Sequence, residues 1–274
     1  MVGVSHGWAA GSGVVIAEGK VLTNAHNVRG GEVSINFSDG RSATGRPSGV
    51  DMDADVAVIE VDTGKVEPIE WAESAQELGI GTSVFALANP GGKGLRVTFG
   101  YVSGTERSFR GPRGRRIAGS VEHTAPLLPG SSGGPIVDSA GRLFAVNTNR
   151  LGEGFYLAIP ADPALRERVD ALARGEAPSR RELGIAVAPP RVARRLRRAV
   201  GLPEADGALV REVIEGSPAE RGGLRQGDLI VQVDGATISG LDDLYRAIDA
   251  LEPGKPVQVK VLRGAEETTL AVEA

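Results

Sequence analysis

The stretch Pro129-Gly130-Ser131-Ser132-Gly133-Gly134-Pro135 organises the interpretation of the whole chain. Its three glycines let the backbone adopt positive φ angles and come close to a substrate. A serine in such a turn can present its hydroxyl beside neighbouring backbone N–H groups, which is the arrangement that acyl transfer requires. A surface loop of glycine and serine is the alternative, because this motif is unspecific without a base.

A histidine that could act as the base lies upstream, in Thr23-Asn24-Ala25-His26-Asn27. The candidate acid is Asp55, which opens the apolar run Val56-Ala57-Val58-Ile59. Burial of an aspartate is costly unless it is hydrogen-bonded to a group such as an imidazole. His123 is nearer to the serine loop in sequence, but His26 fits a base motif better. We therefore interpret His123 as structural, or at most as lining the substrate cleft.

Together these stretches resemble the HtrA (Deg) family of trypsin-like serine proteases. The histidine, the aspartate and the serine occur in the order typical of chymotrypsin. The resemblance is carried by segments 11–15 with 23–26, 55–59, 88–92 with 97–103, 130–135 and 155–160. Five motifs in the expected order make a chance similarity improbable.

The resemblance implies a catalytic role for each residue of the triad. Ser132 attacks the peptide carbonyl, and His26 takes its proton and later donates one to the leaving amine. Asp55 fixes the tautomer of the imidazole and stabilises the imidazolium. The oxyanion hole is assigned to the backbone of Gly130, Ser131 and Ser132, with the first and last of these as the donors.

Four residues border the implied pocket for the residue before the cut bond. By family position they are Leu127, Asn147, Thr148 and Asn149. Leu127 would make this pocket apolar and shallow, which predicts cleavage after small or medium aliphatic residues such as valine or alanine. No aspartate near Leu127 could select lysine or arginine.

Composition limits the classes of function. The 274 residues suggest two domains, and the net charge of −4 gives no reason to expect a nucleic acid partner. The absence of cysteine excludes disulfides and a thiolate nucleophile. The chain begins without a signal peptide, and no membrane span is present. No nucleotide-binding loop or plausible metal cluster occurs, so we expect neither a cofactor nor a metal.

Short strands with turn signals recur through the first part of the chain. One hairpin is predicted around Ser38-Asp39-Gly40-Arg41, and further strands over 82–87 and 95–103. These patterns predict a mainly β sandwich or barrel. The resemblance makes this a chymotrypsin/trypsin-like double antiparallel β-barrel over residues 1–174, which ends in a helix that begins at Asp162-Pro163.

One basic segment interrupts this pattern of strands. Residues 106–116 hold five arginines together with Gly111, Pro112 and Gly114, which predicts a solvated loop. A regulatory loop is the alternative, since HtrA proteins place a sensor loop near this position.

The C-terminal third resembles a PDZ domain of the HtrA kind. A polar linker is predicted over 175–181, followed by a small α+β PDZ domain over 182–274. Such a sheet with one open edge can take the C-terminus of a peptide as an added strand. Peptide binding is assigned to Leu183, Gly184, Ile185 and Tyr245. Plain core packing is the alternative for Leu183 and Ile185.

The helix predicted over 191–200 presents five arginines. A solvated face is the main interpretation of these arginines, and contact with a membrane or a nucleic acid is the alternative. Val192, Leu196, Ala199 and Val200 are expected to form the buried face of the same helix.

The sequence therefore predicts an ATP-independent serine endopeptidase that cleaves unfolded or misfolded proteins in protein quality control. Its PDZ domain would bind peptide C-termini and regulate cleavage. The alternative is a catalytically quiet, PDZ-containing chaperone or scaffold. Ser131 stands where the family usually has asparagine, and Leu128 replaces a polar residue, so we expect modest activity.

The family resemblance also implies an oligomeric state and a cellular location. It implies a homotrimer through the protease domain, to which Trp8 could contribute. It further implies the bacterial cell envelope or periplasm, with a missing leader. The cytoplasm remains the alternative.

Overall fold

The computed structural model describes residues 1–6, 9–28, 30–73, 79–112, 116–152, 154–176, 183–251 and 255–273. The chain divides into two compact units, Met1–Pro178 and Ser179–Ala274. Trp8, most of the predicted linker and the first predicted PDZ residue, Glu182, lie outside the described residues. The two units are described separately.

The first barrel is closed and antiparallel, with the strand order β1-β2-β3-β6-β5-β4. Alternation decides which side chains enter its core: in β4 the apolar residues Val33, Ile35 and Phe37 are buried, whereas Ser34 and Asn36 between them are more exposed. The strands are β1 (Val2–His6), β2 (Ala9–Ala17), β3 (Lys20–Thr23), β4 (Val33–Phe37), β5 (Ser42–Asp51) and β6 (Val56–Glu60).

The second barrel is also closed and antiparallel, with the order β10-β11-β12-β9-β8-β7. Small residues such as Val84, Ala86, Ala145 and Ala158 fill much of its core, as the scarcity of aromatic residues requires. The strands are β7 (Ser83–Ala88), β8 (Arg96–Arg110), β9 (Arg116–His123), β10 (Pro135–Val137), β11 (Leu143–Gly152) and β12 (Phe155–Pro160). The predicted double barrel is confirmed.

Helix α1 (Pro163–Ala173) follows the barrels and begins as predicted. The Asp162 side chain accepts the N–H of Leu165 at 2.8 Å, and Pro163 occupies the first turn. Leu165, Val169 and Leu172 are buried in a cluster with residues of both barrels. Complete burial of each such side chain stabilises the fold by about 1.5–3 kcal/mol.

The arginine-rich segment is a hairpin and not the predicted loop. β8 continues to Arg110, and β9 resumes at Arg116, which pairs with it. Phe109 is buried in the cluster that contains α1, and Arg107 lies 3.2 Å from the Glu122 carboxylate. The prediction was wrong because the burial of Phe109, between Arg107 and Arg110, extends β8 into the segment where glycine and proline suggested a loop. Arg113 and Arg115 lie outside the described residues.

The C-terminal unit is a small α+β domain, as predicted. Its sheet has the order β13-β14-β15-β17-β18, with β16 paired to β15. Leu244 and Ile248, on helix α4 (Leu241–Asp249), belong to one buried apolar cluster with Val233 and Val257. The elements are β13 (Ile185–Ala188), α2 (Pro190–Ala199), β14 (Ala208–Val213), α3 (Pro218–Arg221), β15 (Leu229–Val233), β16 (Ala236–Thr237), α4 (Leu241–Asp249), β17 (Pro256–Arg263) and β18 (Glu266–Glu273).

Helix α2 differs from its predicted pattern of burial. Arg197 is 3% exposed, and its guanidinium donates to the carbonyls of Pro203 at 3.2 Å and Gly264 at 3.4 Å. Ala199 is exposed, and Val200 is 71% exposed. The prediction of a solvated arginine face holds for the other four arginines but was wrong for Arg197, because the chain after α2 folds back over it. The prediction that Ala199 and Val200 are buried was also wrong. Within the described ranges, no helix is long and apolar enough to cross a membrane.

Candidate active site

His26 and Asp55 form a close pair in the first barrel. His26 lies in a 3-10 turn, Ala25–Asn27, directly after β3, and Asp55 directly precedes β6, which pairs with β3. Both carboxylate oxygens of Asp55 lie 2.9 Å from Nδ1 of His26. A carboxylate at this distance places the imidazole proton on Nδ1 and leaves Nε2 as a base.

The backbone holds Asp55 in an uncommon conformation. Its φ is +55°, and its side chain is 2% exposed, so both strain and desolvation oppose this placement. The N–H of His26 donates to Oδ1 at 3.1 Å, and the Thr148 hydroxyl donates to Oδ2 at 2.6 Å. The Asn24 amide donates to the Asp55 carbonyl at 2.9 Å. These donors stabilise a buried carboxylate aimed at the imidazole.

Asp51 supports the turn that presents Asp55. Its Oδ1 accepts the N–H groups of Asp53 at 2.9 Å and Ala54 at 3.1 Å, which forms a local side-chain turn. Arg168 of α1 makes an ion pair with the same carboxylate. The sequence does not indicate this role of Asp51, because Arg168 lies 117 positions further along the chain.

Two tight turns shape the serine loop of the second barrel. The Ser131 N–H donates to the Leu128 carbonyl at 3.2 Å, and the Gly134 N–H donates to the Ser131 carbonyl at 3.0 Å. Gly133 has φ +84°, and a Cβ there would lie 2.2 Å from the carbonyl oxygen of Ser12. Only glycine therefore fits directly after Ser132.

Backbone donors are available beside Ser132. Among the described residues, the N–H groups of Gly130 and Ser132 donate no hydrogen bond. The Ser131 N–H is used within the loop by the Leu128 carbonyl. The first two groups thus remain the candidate oxyanion donors, and Ser131 contributes to the shape of the loop.

The Ser132 hydroxyl is turned away from the imidazole in this conformer. It donates to the carbonyl of Thr148 at 3.0 Å, and within the described ranges it makes no hydrogen bond to His26. A rotation about the Cα–Cβ bond of Ser132 would move its hydroxyl from this staggered position to another. Catalytic hydrogen bonds are often long or misaligned without substrate, so this geometry is compatible with a nucleophile that aligns on binding.

The four predicted pocket residues have different environments. Leu127 is half-buried against the core of the second barrel, and Asn149 is exposed, with its side chain accepting the N–H of Arg150 at 2.8 Å. Asn147 is fully buried, and its amide donates to the Gly134 carbonyl at 3.1 Å. Asn147 therefore supports the serine loop, and Thr148 directs its hydroxyl to Asp55.

His123 is a buried structural residue. It is 0% exposed, stacks on Tyr156 with ring centroids 5.6 Å apart, and places Nε2 3.0 Å from Oδ1 of Asn147. Burial lowers its pKa to about 4, against a smaller opposing effect of the Asn147 hydrogen bond. The imidazole is therefore neutral at neutral pH and has no access to a substrate.

No group of three or more histidine, cysteine, aspartate or glutamate side chains that could hold a metal ion occurs in the described part of the chain.

Comparison with known proteins places this geometry in a family. A trypsin-like peptidase domain matches residues 11–146, and a PDZ domain matches residues 182–274. The solved structure of the HtrA-type protease AlgW with decapeptide superposes with a TM-score of 0.70 and 30% identity, covering 96% of this chain and 81% of that chain. The chain belongs to the HtrA family of trypsin-like serine proteases. The predicted family resemblance is thus confirmed.

Two relatives extend beyond the segment that matches this chain. It is 34% identical over 269 residues to "Probable periplasmic serine endoprotease DegP-like" of Halomonas elongata. It is 33% identical over 284 residues to "Protease Do-like 1, chloroplastic" of Arabidopsis thaliana. The matches cover 96% of this chain in both cases, but only 55% and 63% of the relatives. The chain therefore spans between half and two thirds of these relatives.

In the described part of this HtrA-family PDZ domain, β13 is an edge strand of the sheet, paired with β14 alone, and β18 lies at the opposite edge. Ile185 and Val187 of this strand are partly buried against the domain core, together with Leu241 of α4. Leu183 is 1% exposed, and its carbonyl accepts the N–H of Ala219 at 2.8 Å. The core interpretation therefore describes the Leu183 side chain, whereas Ile185 also lies on the open strand.

Gly184 and Tyr245 complete the predicted peptide-binding set. Gly184 has φ +75°, and a Cβ there would lie 2.2 Å from Cβ of Ser217, so the turn before β13 requires glycine. Tyr245 is partly buried on α4. The strand edge, this turn and α4 are the elements from which a peptide groove would be built.

Proposed function

We propose that the chain is a serine endopeptidase that cleaves unfolded or misfolded polypeptides by acyl-enzyme chemistry without ATP. The observation that carries the proposal is the pair of His26 and Asp55, in which Nδ1 of the imidazole lies 2.9 Å from the Asp55 carboxylate. In the same chain Ser132 lies beside two backbone N–H groups that donate no described hydrogen bond. The sequence has no nucleotide-binding loop of the GxxxxGK[ST] kind, which supports the absence of an ATP requirement.

The mechanism begins with a rotation of the Ser132 side chain. Its hydroxyl leaves the Thr148 carbonyl and donates to Nε2 of His26, which takes the proton as the oxygen attacks the substrate carbonyl. Asp55 stabilises the resulting imidazolium through Nδ1. The N–H groups of Gly130 and Ser132 stabilise the oxyanion, and His26 then protonates the leaving amine. A water molecule then attacks the acyl-enzyme while His26 takes its proton, and His26 returns a proton to the oxygen of Ser132 as the acyl group leaves.

The test is cleavage of casein, an unfolded protein, in buffer without ATP, followed by mass spectrometry of the fragments. We expect fragments that end in valine or alanine, because Leu127 would make an apolar, shallow pocket. A disulfide-bonded substrate protein, compared with its reduced and alkylated form, serves as the matched control and should be cut only when unfolded. Fragments that end in lysine or arginine would contradict the assignment of the pocket.

We propose that the PDZ domain binds the C-termini of peptides as a strand added to β13. The open edge of β13 and the apolar side chains of Ile185, Val187 and Leu241 support this. The solved AlgW structure is named as a complex with a decapeptide. Because the Gly184 turn would hold the terminal carboxylate, we expect a fluorescent decapeptide that ends in valine to bind at least about 10-fold tighter than its C-terminal amide.

Fluorescence anisotropy with the two peptides measures this difference, and equal affinities would contradict carboxylate capture. Regulation of cleavage by the PDZ domain is a further part of the proposal. Casein cleavage with and without the valine peptide tests it, since an unchanged rate would remove the regulatory role.

A catalytically quiet chaperone or scaffold is the second candidate function. The hydrogen bond from Ser132 to the Thr148 carbonyl, in place of one to His26, is the reason to test it, although the names of the relatives as serine endoprotease and protease favour the active enzyme. A protein of this kind would suppress aggregation of casein but produce no fragments.

We propose a location in the bacterial cell envelope and assembly as a homotrimer. The name of the Halomonas relative includes the word periplasmic, although that of the Arabidopsis relative includes chloroplastic. Cell fractionation tests the location, which a purely cytoplasmic protein would contradict. Sedimentation equilibrium tests the assembly, which a monomeric mass would contradict.

A further inference from the structure

Ser12 of β2 is a buried residue with no role among the catalytic groups described above. It is 0% exposed. Its hydroxyl donates to the carbonyl of Gly130 at 2.8 Å and accepts the N–H of Asn89 at 3.0 Å. A side chain of the first barrel thus joins two loops of the second barrel, and one of these is the serine loop.

The backbone of Ser12 holds the other end of the same loop. Its N–H donates to the carbonyl of Ser132 at 2.8 Å, which also accepts the Asn27 amide at 2.9 Å. The Ser12 carbonyl accepts the Thr23 hydroxyl at 2.7 Å. Both candidate oxyanion donors, Gly130 and Ser132, therefore belong to residues whose carbonyl groups are fixed by Ser12.

Loss of the Ser12 hydroxyl would affect the two candidate oxyanion donors differently. The Ser132 carbonyl is held by backbone and by Asn27, which a change of the Ser12 side chain leaves in place. The Gly130 carbonyl has the Ser12 hydroxyl as its described partner. Gly130 has φ +86° and no side chain to restrict it, so its backbone can rotate once that carbonyl is released. The Gly130 N–H belongs to the preceding peptide group, between Pro129 and Gly130. It therefore turns when a change of ψ at Gly130 is compensated by a change of φ, and this compensating rotation would direct the N–H away from the substrate.

We propose that Ser12 is a positioning residue that keeps the N–H of Gly130 directed at the oxyanion site. This inference rests on the proposed serine endopeptidase function. It extends that function to a residue that precedes Ser132 by 120 positions in the chain (132 − 12). Ser12 does not touch the reacting atoms. It acts through the Gly130 carbonyl.

The variant Ser12→Ala tests the proposal. It removes the hydroxyl but preserves the hydrogen bonds of the strand backbone. We expect kcat on a peptide substrate to fall about 10-fold with KM within about 2-fold, which is less than the 10²–10³ that loss of an oxyanion donor costs. Ser12→Cys, which keeps a weak donor of similar size, should give a smaller loss in the same direction.

Thr63→Val provides the matched control. Thr63 is 1% exposed in the first barrel, and its hydroxyl accepts the N–H of Gly19 at 3.0 Å, so this variant loses one hydrogen bond to the backbone, whereas Ser12→Ala loses two. We expect Thr63→Val to lower Tm by about half as much as Ser12→Ala while kcat stays unchanged.

A peptide boronic acid separates positioning from a merely structural role. Its tetrahedral adduct with Ser132 presents an oxygen to the oxyanion donors, so Ser12→Ala should weaken its binding by the same factor as kcat. If the parent protein cleaves and binds the boronate, but Ser12→Ala behaves like Thr63→Val in both assays, this inference is overturned alone. A parent protein that does neither would overturn the proposed function and this inference with it.

Discussion

Ser132→Ala lowers the initial rate of casein cleavage by at least about 10⁴-fold, because no other group at the site can form the acyl-enzyme. Ser132 lies beside the two available N–H groups, of Gly130 and of Ser132 itself, and the neighbouring Gly133 leaves no space for a side chain. The substitution removes one hydroxyl whose described partner is the Thr148 carbonyl. The fold should therefore be retained, with an unchanged circular dichroism spectrum.

Ser120→Ala is the control for this substitution. Ser120 is also a buried serine of the second barrel, but it lies on β9, and its hydroxyl has no hydrogen-bond partner among the residues that the structure describes. We expect this variant to cleave casein at the parent rate. Residual cleavage above 1% in Ser132→Ala would show that another residue, or a contaminating protease, supplies the nucleophile.

Asp55→Asn lowers kcat by about 10⁴-fold, a magnitude typical of trypsin-like triads. The carboxylate accepts hydrogen bonds on both oxygens: from the N–H and Nδ1 of His26, and from the Thr148 hydroxyl. An asparagine must replace one of these acceptors by an NH₂ donor. It would then either lose the Thr148 contact or face Nδ1 with a donor and select the wrong tautomer of His26.

Steady-state kinetics on a peptide substrate measure this loss, with Asp62→Asn as the control. Asp62 is an exposed aspartate of the same barrel whose carboxylate accepts the N–H of Gly64 at 2.9 Å. We expect its kcat to equal that of the parent. A loss of less than 10-fold in Asp55→Asn would mean that the aspartate does not orient the base.

Local sequence patterns predicted short strands in a mainly β sandwich or barrel. Alternation in β4 and the cap at Asp162 are decided by neighbouring residues, so they can be interpreted without the fold. The cost of burying a carboxylate at the start of an apolar strand indicated that Asp55 needs a partner such as an imidazole. The resemblance to the HtrA family implied the double barrel and the pairing of Asp55 with His26.

The contacts that the sequence did not predict join distant parts of the chain. The Ser12 hydroxyl contacts Gly130, and Arg168 contacts Asp51, because the two barrels and α1 converge around the site. Asn147 was expected at the pocket, but it points into the core, where it contacts His123 and the carbonyl of Gly134. Chemistry alone indicates that a buried polar residue such as Asn147 needs a hydrogen-bond partner. The sequence does not indicate which residue becomes that partner.

Two further differences arise from tertiary packing that overrides composition. Glycine and proline near residue 112 suggested a long loop, but the burial of Phe109 extends β8 to Arg110. Arginine is usually exposed, but the chain after α2 supplies carbonyl acceptors that cover Arg197. In both cases the buried contact forms only after the surrounding elements have packed.

The most direct test of the central claim is labelling with a fluorophosphonate, followed by mass spectrometry of the intact protein and of its peptides. A serine activated by His26 and Asp55 attacks phosphorus, and the adduct stays on the attacking oxygen. We predict one adduct per chain, located on Ser132, present in the native protein and absent after denaturation. An unlabelled native protein, or an adduct on Ser131 or any other serine, would contradict the account.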